Sequence, residues 1–135
     1  MSVDLDAVRA HWAAHHPEFA TYLGLQLEEL APGVAVMRLP YRPQIANGAG
    51  AVHGGAITSL CDTVFYVALA TVNGWERPTV TTSLTCNFLA PARRETDLVA
   101  RATVIKNGRQ MLFGEVAVHA GERLVAHATL TYFRS

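Results

Sequence analysis

The chain is 135 residues long and 50% hydrophobic, and its 11 lysines and arginines balance its 11 aspartates and glutamates. Zero net charge without a basic or acidic block argues against a nucleic-acid-binding surface and against a polybasic membrane patch. The length and the even composition predict a single domain over residues 1–135.

The N-terminus and the cysteines bear on where the protein resides. The first residues, MSVDLDAVRAHW, lack the apolar segment of a signal peptide, and no apolar run approaches the ~20 residues that span a bilayer. Cys61 and Cys86 show no CxxC spacing, and both fit the pattern of small buried hydrophobic residues. We therefore expect a cytoplasmic protein without a membrane segment.

The first predicted element is a helical segment over residues 4–20. Ser2 or Asp4 is the candidate N-cap. His11 and His15 are four residues apart, as metal-binding histidines can be, but the pattern offers no third ligand, so we expect no metal site. The apolar positions of this segment are Leu5, Val8, Trp12 and Phe19.

Strands are predicted on both sides of a long helical stretch. After the turn signal Pro32-Gly33, residues 34–39 are predicted to form a strand whose side chains point alternately to its two sides. Asn107-Gly108 is the strongest hairpin signal in the chain. One long helix with a run of antiparallel strands indicates an α+β fold. The four later strands are predicted at residues 79–89, 97–106, 111–119 and 123–133.

The longest helical pattern lies within residues 47–73. Apolar residues recur there every three or four positions, so the helix should be covered on most sides. Thr58, Asp62 and Tyr66 interrupt this background as a polar stripe, each four residues from the next. A carboxylate in a mostly buried helix costs free energy unless it is paired or used, which makes Asp62 a candidate catalytic group.

His53, Gly54 and Gly55 lie where the first turn of this helix should begin. The first backbone N–H groups of a helix have no partner within it and carry the positive end of the helix dipole. Glycine lets a ligand oxygen approach this backbone closely, which suits a developing oxyanion. HGG alone is short enough to occur by chance, but Asn47 before it and Asp62 after it favour a binding site.

The pattern N-x5-HGG-x6-D over residues 47–62 leads into the apolar helix and is followed by the strand TTSLTCNFLAP. Together with the segment FLAPA, this pattern resembles the PaaI-type hotdog-fold acyl-CoA thioesterases, and the resemblance extends from Phe19 to Phe133. It implies a curved antiparallel sheet wrapped around one long central helix. It also implies hydrolysis of acyl-CoA to free acid and CoA, with phenylacetyl-type or medium-chain acyl groups as in phenylacetate degradation.

Thioester hydrolysis needs a polarised carbonyl and a nucleophile or base. The Gly54 N–H suits the first need, and Asp62 suits the second, either as base for water or as direct nucleophile. Asn47 is a candidate to orient the water or the carboxylate, and His53 to hold the loop or to hydrogen-bond near the thioester. The resemblance implies similar roles for these four residues and adds the hydroxyl of Thr81. We expect no cofactor.

Candidate substrate-binding residues lie on the same helix and in a predicted turn. Gly55 and Tyr66 belong to the helix, and Asn107, Gly108 and Arg109 offer backbone and cationic groups to CoA. Basic residues in turns are usually solvated, and aromatic residues are at least as often part of the core. Further candidates are Arg93, Arg94 and Lys106 for a nucleotide phosphate, and Phe65, Tyr66, Trp75 and Phe88 for an aromatic acyl pocket.

Asp62 lies eight residues beyond Gly54, about 12 Å along a helix axis, which a short side chain cannot span. If both residues act on one thioester, a second chain should supply one of them. We therefore expect a homodimer with shared active sites, paired further into a homotetramer as in PaaI-like proteins. The alternatives are a non-catalytic acyl-CoA-binding or sensing protein, and a hotdog enoyl hydratase or dehydratase, whose acid a few residues before histidine is missing here.

Overall fold

The computed structural model describes residues 2–93 and 95–135. Its helices are α1 (Leu5–His15), α2 (Glu18–Leu23) and α3 (Gly54–Asn73), with a 3-10 turn at Pro43–Ile45. Its strands are β1 (Gln26–Ala31), β2 (Val34–Leu39), β3 (Thr79–Phe88), β4 (Leu98–Asn107), β5 (Met111–Ala120) and β6 (Arg123–Arg134). The strands form one antiparallel sheet in the order β1-β2-β4-β5-β6-β3. This sheet packs against α3, which confirms the expected hotdog arrangement.

The N-terminal segment forms two short helices. Of the two candidate caps, Asp4 begins α1, because its side chain accepts hydrogen bonds from two backbone N–H groups of the first turn. Pro17 separates α1 from α2, and α2 ends at Gly24, whose φ of 78° is left-handed. Trp12 is buried as expected, whereas Phe19 lies on α2 with 55% of its surface exposed.

The long helix α3 is the centre of the hydrophobic core. Leu60, Val64 and Phe65 on it have no exposed surface. Phe65 packs directly on the backbone of β5 at Gly114, where a Cβ atom would lie only 2.3 Å from the Phe65 ring. Glycine at this position therefore allows the helix to approach the sheet closely.

By length and composition alone, α3 is also apolar enough to cross a membrane, since it is 20 residues long. The expectation that no apolar run approaches the length of a membrane span is therefore wrong. In the fold, the apolar side chains of α3 are covered by the sheet. A central core helix and a membrane span have the same composition because both lie in an apolar environment.

Strand β3 forms one edge of the sheet, and within the described part of the chain it pairs with β6 alone. Thr81 pairs with Tyr132, and Phe88 pairs with Ala126. Paired residues point to the same side of a sheet, and Tyr132 and Ala126 are buried on the side that covers α3. Thr81 and Phe88 therefore face α3 from opposite ends of β3.

The hairpin predicted at Asn107-Gly108 is present, but its connection is longer than the two residues that such a dipeptide favours. β4 ends at Asn107, β5 begins at Met111, and Asn107 pairs with Leu112. A type I′ turn would require a left-handed backbone at Gly108. Gly108 is not one of the described residues that have a positive φ. The Gly108 N–H instead donates to the Met111 carbonyl at 3.1 Å.

Candidate active site

Asp62 lies in the middle of α3, half-buried, where two hydroxyl groups meet its carboxylate. The Thr81 hydroxyl donates to Oδ1 at 2.8 Å, and the Tyr132 hydroxyl donates to the same atom at 2.6 Å. The Tyr132 hydroxyl also lies 2.8 Å from the backbone carbonyl oxygen of Asp62. The carboxylate in the central helix is thus held by two neutral donors.

Of these two hydroxyl donors, Thr81 is predicted from the sequence and Tyr132 is not. Tyr132 belongs to an alternating apolar strand, so its only signal was the general rule that a buried tyrosine hydroxyl needs a partner. Burial, with the charge of Asp62 adding to it, raises the pKa of Tyr132 well above its ordinary range. The phenol therefore keeps its proton and acts as a hydrogen-bond donor to Asp62.

The first turn of α3 is capped by the histidine of the HGG motif. His53 is the N-cap, and its Nδ1 accepts a hydrogen bond from the Gly55 N–H at 2.7 Å. Because Nδ1 is an acceptor, the neutral imidazole carries its proton on Nε2. His53 is exposed, so this Nε2–H group is available to a ligand at the helix terminus.

Gly54 begins α3, and its N–H group donates to no acceptor in the described part of the chain. The ring of Phe88 covers the Cα of Gly54, since a Cβ there would lie 3.3 Å from Phe88 Cζ. An unpaired N–H at a helix terminus beside a partly apolar wall fits the expected site for a carbonyl oxygen.

Asn47 shapes the loop that leads into α3. Its Oδ1 accepts hydrogen bonds from the N–H groups of Ala49 at 2.9 Å and Ala51 at 3.1 Å. The Val52 N–H donates to the Ala92 carbonyl, which ties the loop to the FLAPA segment. The side-chain carbonyl of Asn47 is thus engaged in the loop, which leaves its Nδ2 group to act as a donor.

The helix terminus and the carboxylate remain separate within one chain. Gly54 and Asp62 both belong to α3, eight residues apart, so about 12 Å of helix lies between them. The hydrogen bonds from Thr81 and Tyr132 hold the Asp62 side chain toward the sheet rather than toward the helix N-terminus. The structure therefore does not bring these two candidate catalytic residues together in one subunit.

Asp62 opens onto a surface recess of about 420 Å³ whose walls include Tyr66, Thr81 and Tyr132. A second recess of about 200 Å³ shares Tyr66 and Pro17 with it. Because they share these two wall residues, the two recesses are neighbours, and together they are called the depression beside Asp62. The second recess is otherwise lined by His11, Trp12, His15 and Trp75.

Of the four aromatic residues considered for an acyl pocket, two line this depression. The ring centroids of Tyr66 and Trp75 are 5.3 Å apart, and Trp75 stacks on His11 at 4.9 Å. Phe65 lies wholly within the core, and Phe88 lies over Gly54 at the other end of β3. The depression therefore has aromatic rings in the part of its wall formed by Tyr66 and Trp75, and threonine side chains nearer to Asp62.

The turn proposed to contact CoA lies at the opposite end of α3 from Gly54. The side-chain amides of Asn107 and Asn73 exchange two hydrogen bonds, each 3.0 Å long. The Arg134 side chain donates to the backbone carbonyls of Gly108 and Arg109. Nineteen residues of helix, about 28 Å, separate this turn from Gly54 of the same chain. Arg94, another candidate, lies outside the described residues.

Cys61 and Cys86 are free and lie where α3 meets β3. Cys61 is buried, as expected, whereas Cys86 is only half-buried. A hydrogen bond between the two thiols lowers the pKa of Cys86 to about 7, while the same bond and burial raise the pKa of Cys61. Cys86 is therefore the more readily ionised of the two thiols.

Comparison with known proteins assigns this arrangement to a family. A family model of the thioesterase superfamily matches residues 49–134. The acyl-coenzyme A thioesterase PaaI of Escherichia coli is 32% identical over 101 residues, which cover 75% of this chain and 70% of that protein. Human acyl-coenzyme A thioesterase 13 is 30% identical over 100 residues, which cover 73% of this chain and 70% of that protein.

Solved structures agree with the sequence relatives. A mutant of the phenylacetic acid degradation protein PaaI from Thermus thermophilus aligns with a TM-score of 0.81 and 32% identity, covering 88% of this chain and 100% of that chain. The E. coli PaaI structure aligns with a TM-score of 0.83 and 28% identity, covering 93% and 90%. The chain therefore belongs to the thioesterase superfamily and has the hotdog fold of its PaaI-type members.

Proposed function

We propose that this protein is an acyl-CoA thioesterase that hydrolyses aryl or medium-chain acyl-CoA to the free acid and CoA. The observation that carries the proposal is the Asp62 carboxylate, held by two hydroxyl donors at the wall of an open recess. No cation pairs with Asp62 within the described residues. A binding protein for a thioester gains nothing from an unneutralised carboxylate at this position, whereas a hydrolase can use it as base or nucleophile.

The helix terminus and the carboxylate divide the chemistry between them. The Gly54 N–H binds the thioester carbonyl oxygen and stabilises the oxyanion as it forms. Asp62 either removes a proton from the attacking water or attacks the carbonyl carbon itself. The Nε2–H of His53 and the Nδ2 group of Asn47 are further donors on the loop beside Gly54.

The free edge of the sheet supports a dimer. β3 is 10 residues long and contains no charged residue, and among the residues that the structure describes it has a paired strand on one side only. Along it, Val80 and Phe88 are more than half exposed. A long, uncharged edge strand is a ready template for pairing with another chain. A second copy of β3, paired antiparallel about a two-fold axis, would cover this edge in both subunits.

Such a dimer would also complete the active site. Within one chain, the Phe88 end of β3 lies at Gly54, and the Thr81 end lies at Asp62. In an antiparallel pair of β3 strands, the Phe88 end of one strand lies beside the Thr81 end of the other. Gly54 of one subunit then approaches Asp62 of the partner subunit. The separation of about 12 Å between Gly54 and Asp62 along α3 of one chain then no longer keeps the two groups apart.

Further parts of the proposal rest on weaker features. Exposed apolar residues on β4 and β5, such as Ile105 and Phe113, support pairing of dimers into a tetramer. The free thiols of Cys61 and Cys86 are compatible with a reducing cytoplasm. Asn107, Gly108 and Arg109 remain candidate CoA contacts. Since their turn lies far from Gly54 of the same chain, another subunit would have to bring it near the substrate.

The depression beside Asp62 is the proposed acyl pocket. Its walls at Tyr66, Trp75 and His11 are flat rings, which offer stacking contacts to an aryl group and apolar contact to an alkyl chain. Gly55 lies at the helix terminus and belongs to the other half of the substrate site. Trp75→Leu should lower kcat/KM for phenylacetyl-CoA more than for octanoyl-CoA, because only the aryl group loses a stacking partner.

Release of free CoA thiol is the direct test of the proposed activity. Phenylacetyl-, benzoyl-, hexanoyl- and octanoyl-CoA are each assayed with a thiol reagent, using wild type and Asp62→Asn. A protein blank is subtracted because Cys86, with a pKa of about 7, reacts with the reagent as well. We expect turnover of at least one aryl or medium-chain substrate by wild type only.

Two other outcomes would replace this proposal. Tight binding of acyl-CoA in calorimetry, without thiol release from any substrate, would indicate a binding or sensing protein. Hydration of crotonyl-CoA, seen as loss of its enoyl absorbance, would indicate a hydratase. The panel therefore separates the three classes of function in one series of measurements.

A further inference from the structure

The two oxygens of the Asp62 carboxylate have different environments. Oδ1 accepts hydrogen bonds from both Thr81 and Tyr132, at 2.8 Å and 2.6 Å. Oδ2 has no hydrogen-bond partner in the described part of the chain, although Asp62 lines the open recess. We propose that Tyr132 is a positioning residue that holds Oδ1, so that Asp62 reacts through Oδ2; this inference rests on the proposed thioesterase function.

Tyr132 is better suited to this task than Thr81. Its side chain is 2% exposed, whereas Thr81 is exposed to solvent. The Tyr132 ring meets Phe65 edge-on with centroids 5.2 Å apart, and Phe65 is itself packed against Gly114. A phenol held in this way has one position, so the carboxylate that it binds has one orientation.

The phenol remains a donor throughout the working range of an enzyme. Burial and the nearby carboxylate keep its proton bound, so it does not compete with Asp62 as a base. The Tyr132 hydroxyl also lies 2.8 Å from the Asp62 backbone carbonyl, which ties the hydroxyl to the turn of α3 that carries the carboxylate. The contact therefore fixes both the position and the rotation of the Asp62 side chain.

Oδ2 can serve either chemistry left open for Asp62. As base, Oδ2 takes a proton from water while the water oxygen bonds to the carbonyl carbon; the C–S bond then breaks, and the leaving CoA thiolate takes the proton held by Oδ2, which restores the carboxylate. As nucleophile, Oδ2 bonds to the carbonyl carbon, the C–S bond breaks, and water then hydrolyses the mixed anhydride and restores the carboxylate. In both cases Oδ1 keeps its two hydrogen bonds and the negative charge is oriented toward the substrate.

The test compares variants that each remove a single hydroxyl. Tyr132→Phe and Thr81→Val each delete one donor to Oδ1, whereas Thr81→Ser keeps it. Tyr22→Phe is the matched control, because Tyr22 is 65% exposed on α2 and belongs to no proposed site. kcat and KM are measured across pH for all four variants with the best substrate of wild type.

We expect Tyr132→Phe to lower kcat about tenfold, the effect typical of a hydrogen bond to a charged group, with little change in KM. The acidic limb of the pH–rate profile should move to higher pH, because a donated hydrogen bond favours the ionised carboxylate. Thr81→Val should move the limb in the same direction, while Thr81→Ser and Tyr22→Phe should leave it in place. A lower kcat without movement of this limb in Tyr132→Phe would overturn the inference, since loss of structure alone produces that result.

A second readout does not require activity. The carboxyl carbon of Asp62, observed by NMR in ¹³C-labelled protein and assigned by its loss in Asp62→Asn, is titrated in wild type and variants. Its midpoint should move to higher pH in Tyr132→Phe, and an unmoved midpoint contradicts the contact. If Tyr132→Phe does not fold, the hold on Oδ1 is tested with Thr81→Val instead, by the pH–rate profile and by the NMR titration of Asp62. A wild-type protein that hydrolyses no thioester rejects the proposed function, while this titration still tests the contact.

Discussion

The imidazole of His53 occupies the space in which a side chain on Gly55 would lie. A Cβ atom on Gly55 would be 3.0 Å from His53 Nδ1, the atom that accepts the Gly55 N–H hydrogen bond. The second glycine of the HGG motif therefore serves the N-cap of α3, whereas the first presents an unpaired N–H group. Substitution of Gly55 by alanine therefore has a definite structural cost.

Gly55→Ala should lower the free energy of unfolding by about 1 kcal/mol, because the imidazole must move and its capping bond is weakened. Urea denaturation followed by circular dichroism measures this change. Gly48→Ala is the matched control, since no atom lies within 4 Å of a Cβ at that position. Equal stabilities for Gly55→Ala and Gly48→Ala would contradict the assigned role of the His53 ring.

Gly54→Pro should abolish turnover, because proline has no N–H group to bind the oxyanion. The first helical position tolerates proline, so the protein should still fold. Gly54→Ala keeps the N–H group and meets only the exposed ring of Phe88, which can move, so it should retain much more activity. Comparable turnover by wild type and a folded Gly54→Pro would rule out the backbone donor.

Asp62→Ala should lower kcat by about a hundredfold or more, the contribution expected of a general base or nucleophile. Its stability should change by less than about 1 kcal/mol, because the buried Tyr132 hydroxyl still has the backbone carbonyl of residue 62 as acceptor. Steady-state kinetics and urea denaturation check the two parts separately. A stable Asp62→Ala protein with near-wild-type kcat would exclude this carboxylate from the reaction.

Mixing two inactive proteins tests the shared active site. If each site takes Gly54 from one subunit and Asp62 from the other, a mixed dimer of Gly54→Pro and Asp62→Ala regains one intact site. Random pairing makes half of the dimers mixed, so about a quarter of wild-type sites should return. Native mass spectrometry confirms subunit exchange. Exchange without recovered activity would show that both residues act within one chain.

Cys86 should react with iodoacetamide in a pH-dependent way, because a hydrogen bond from Cys61 lowers its pKa to about 7. Below this pH the thiol is protonated and slow; above it the thiolate forms and alkylation accelerates. Cys61→Ala removes the donor, so the midpoint should move to higher pH. Peptide mass mapping locates the label, and preferential labelling of the buried Cys61 would contradict the assignment.

Elements that depend on local pattern can be predicted from the order of the residues alone. The limits of α3 follow from an apolar repeat of three to four residues, an HGG entry and the Asn73-Gly74 exit. The separation of Gly54 and Asp62 follows from the rise of a helix alone. These properties need no knowledge of distant residues, so they were available before any fold was known.

Contacts between residues far apart in the chain become visible only in the folded protein. The contact of Asp62 with Tyr132 joins residues 70 positions apart and depends on the register of β6 against β3. The same holds for the pairing of Asn107 with Asn73, which places the predicted CoA turn far from Gly54. Strand register arises from the packing of a whole sheet face on α3, so no local stretch of sequence encodes it.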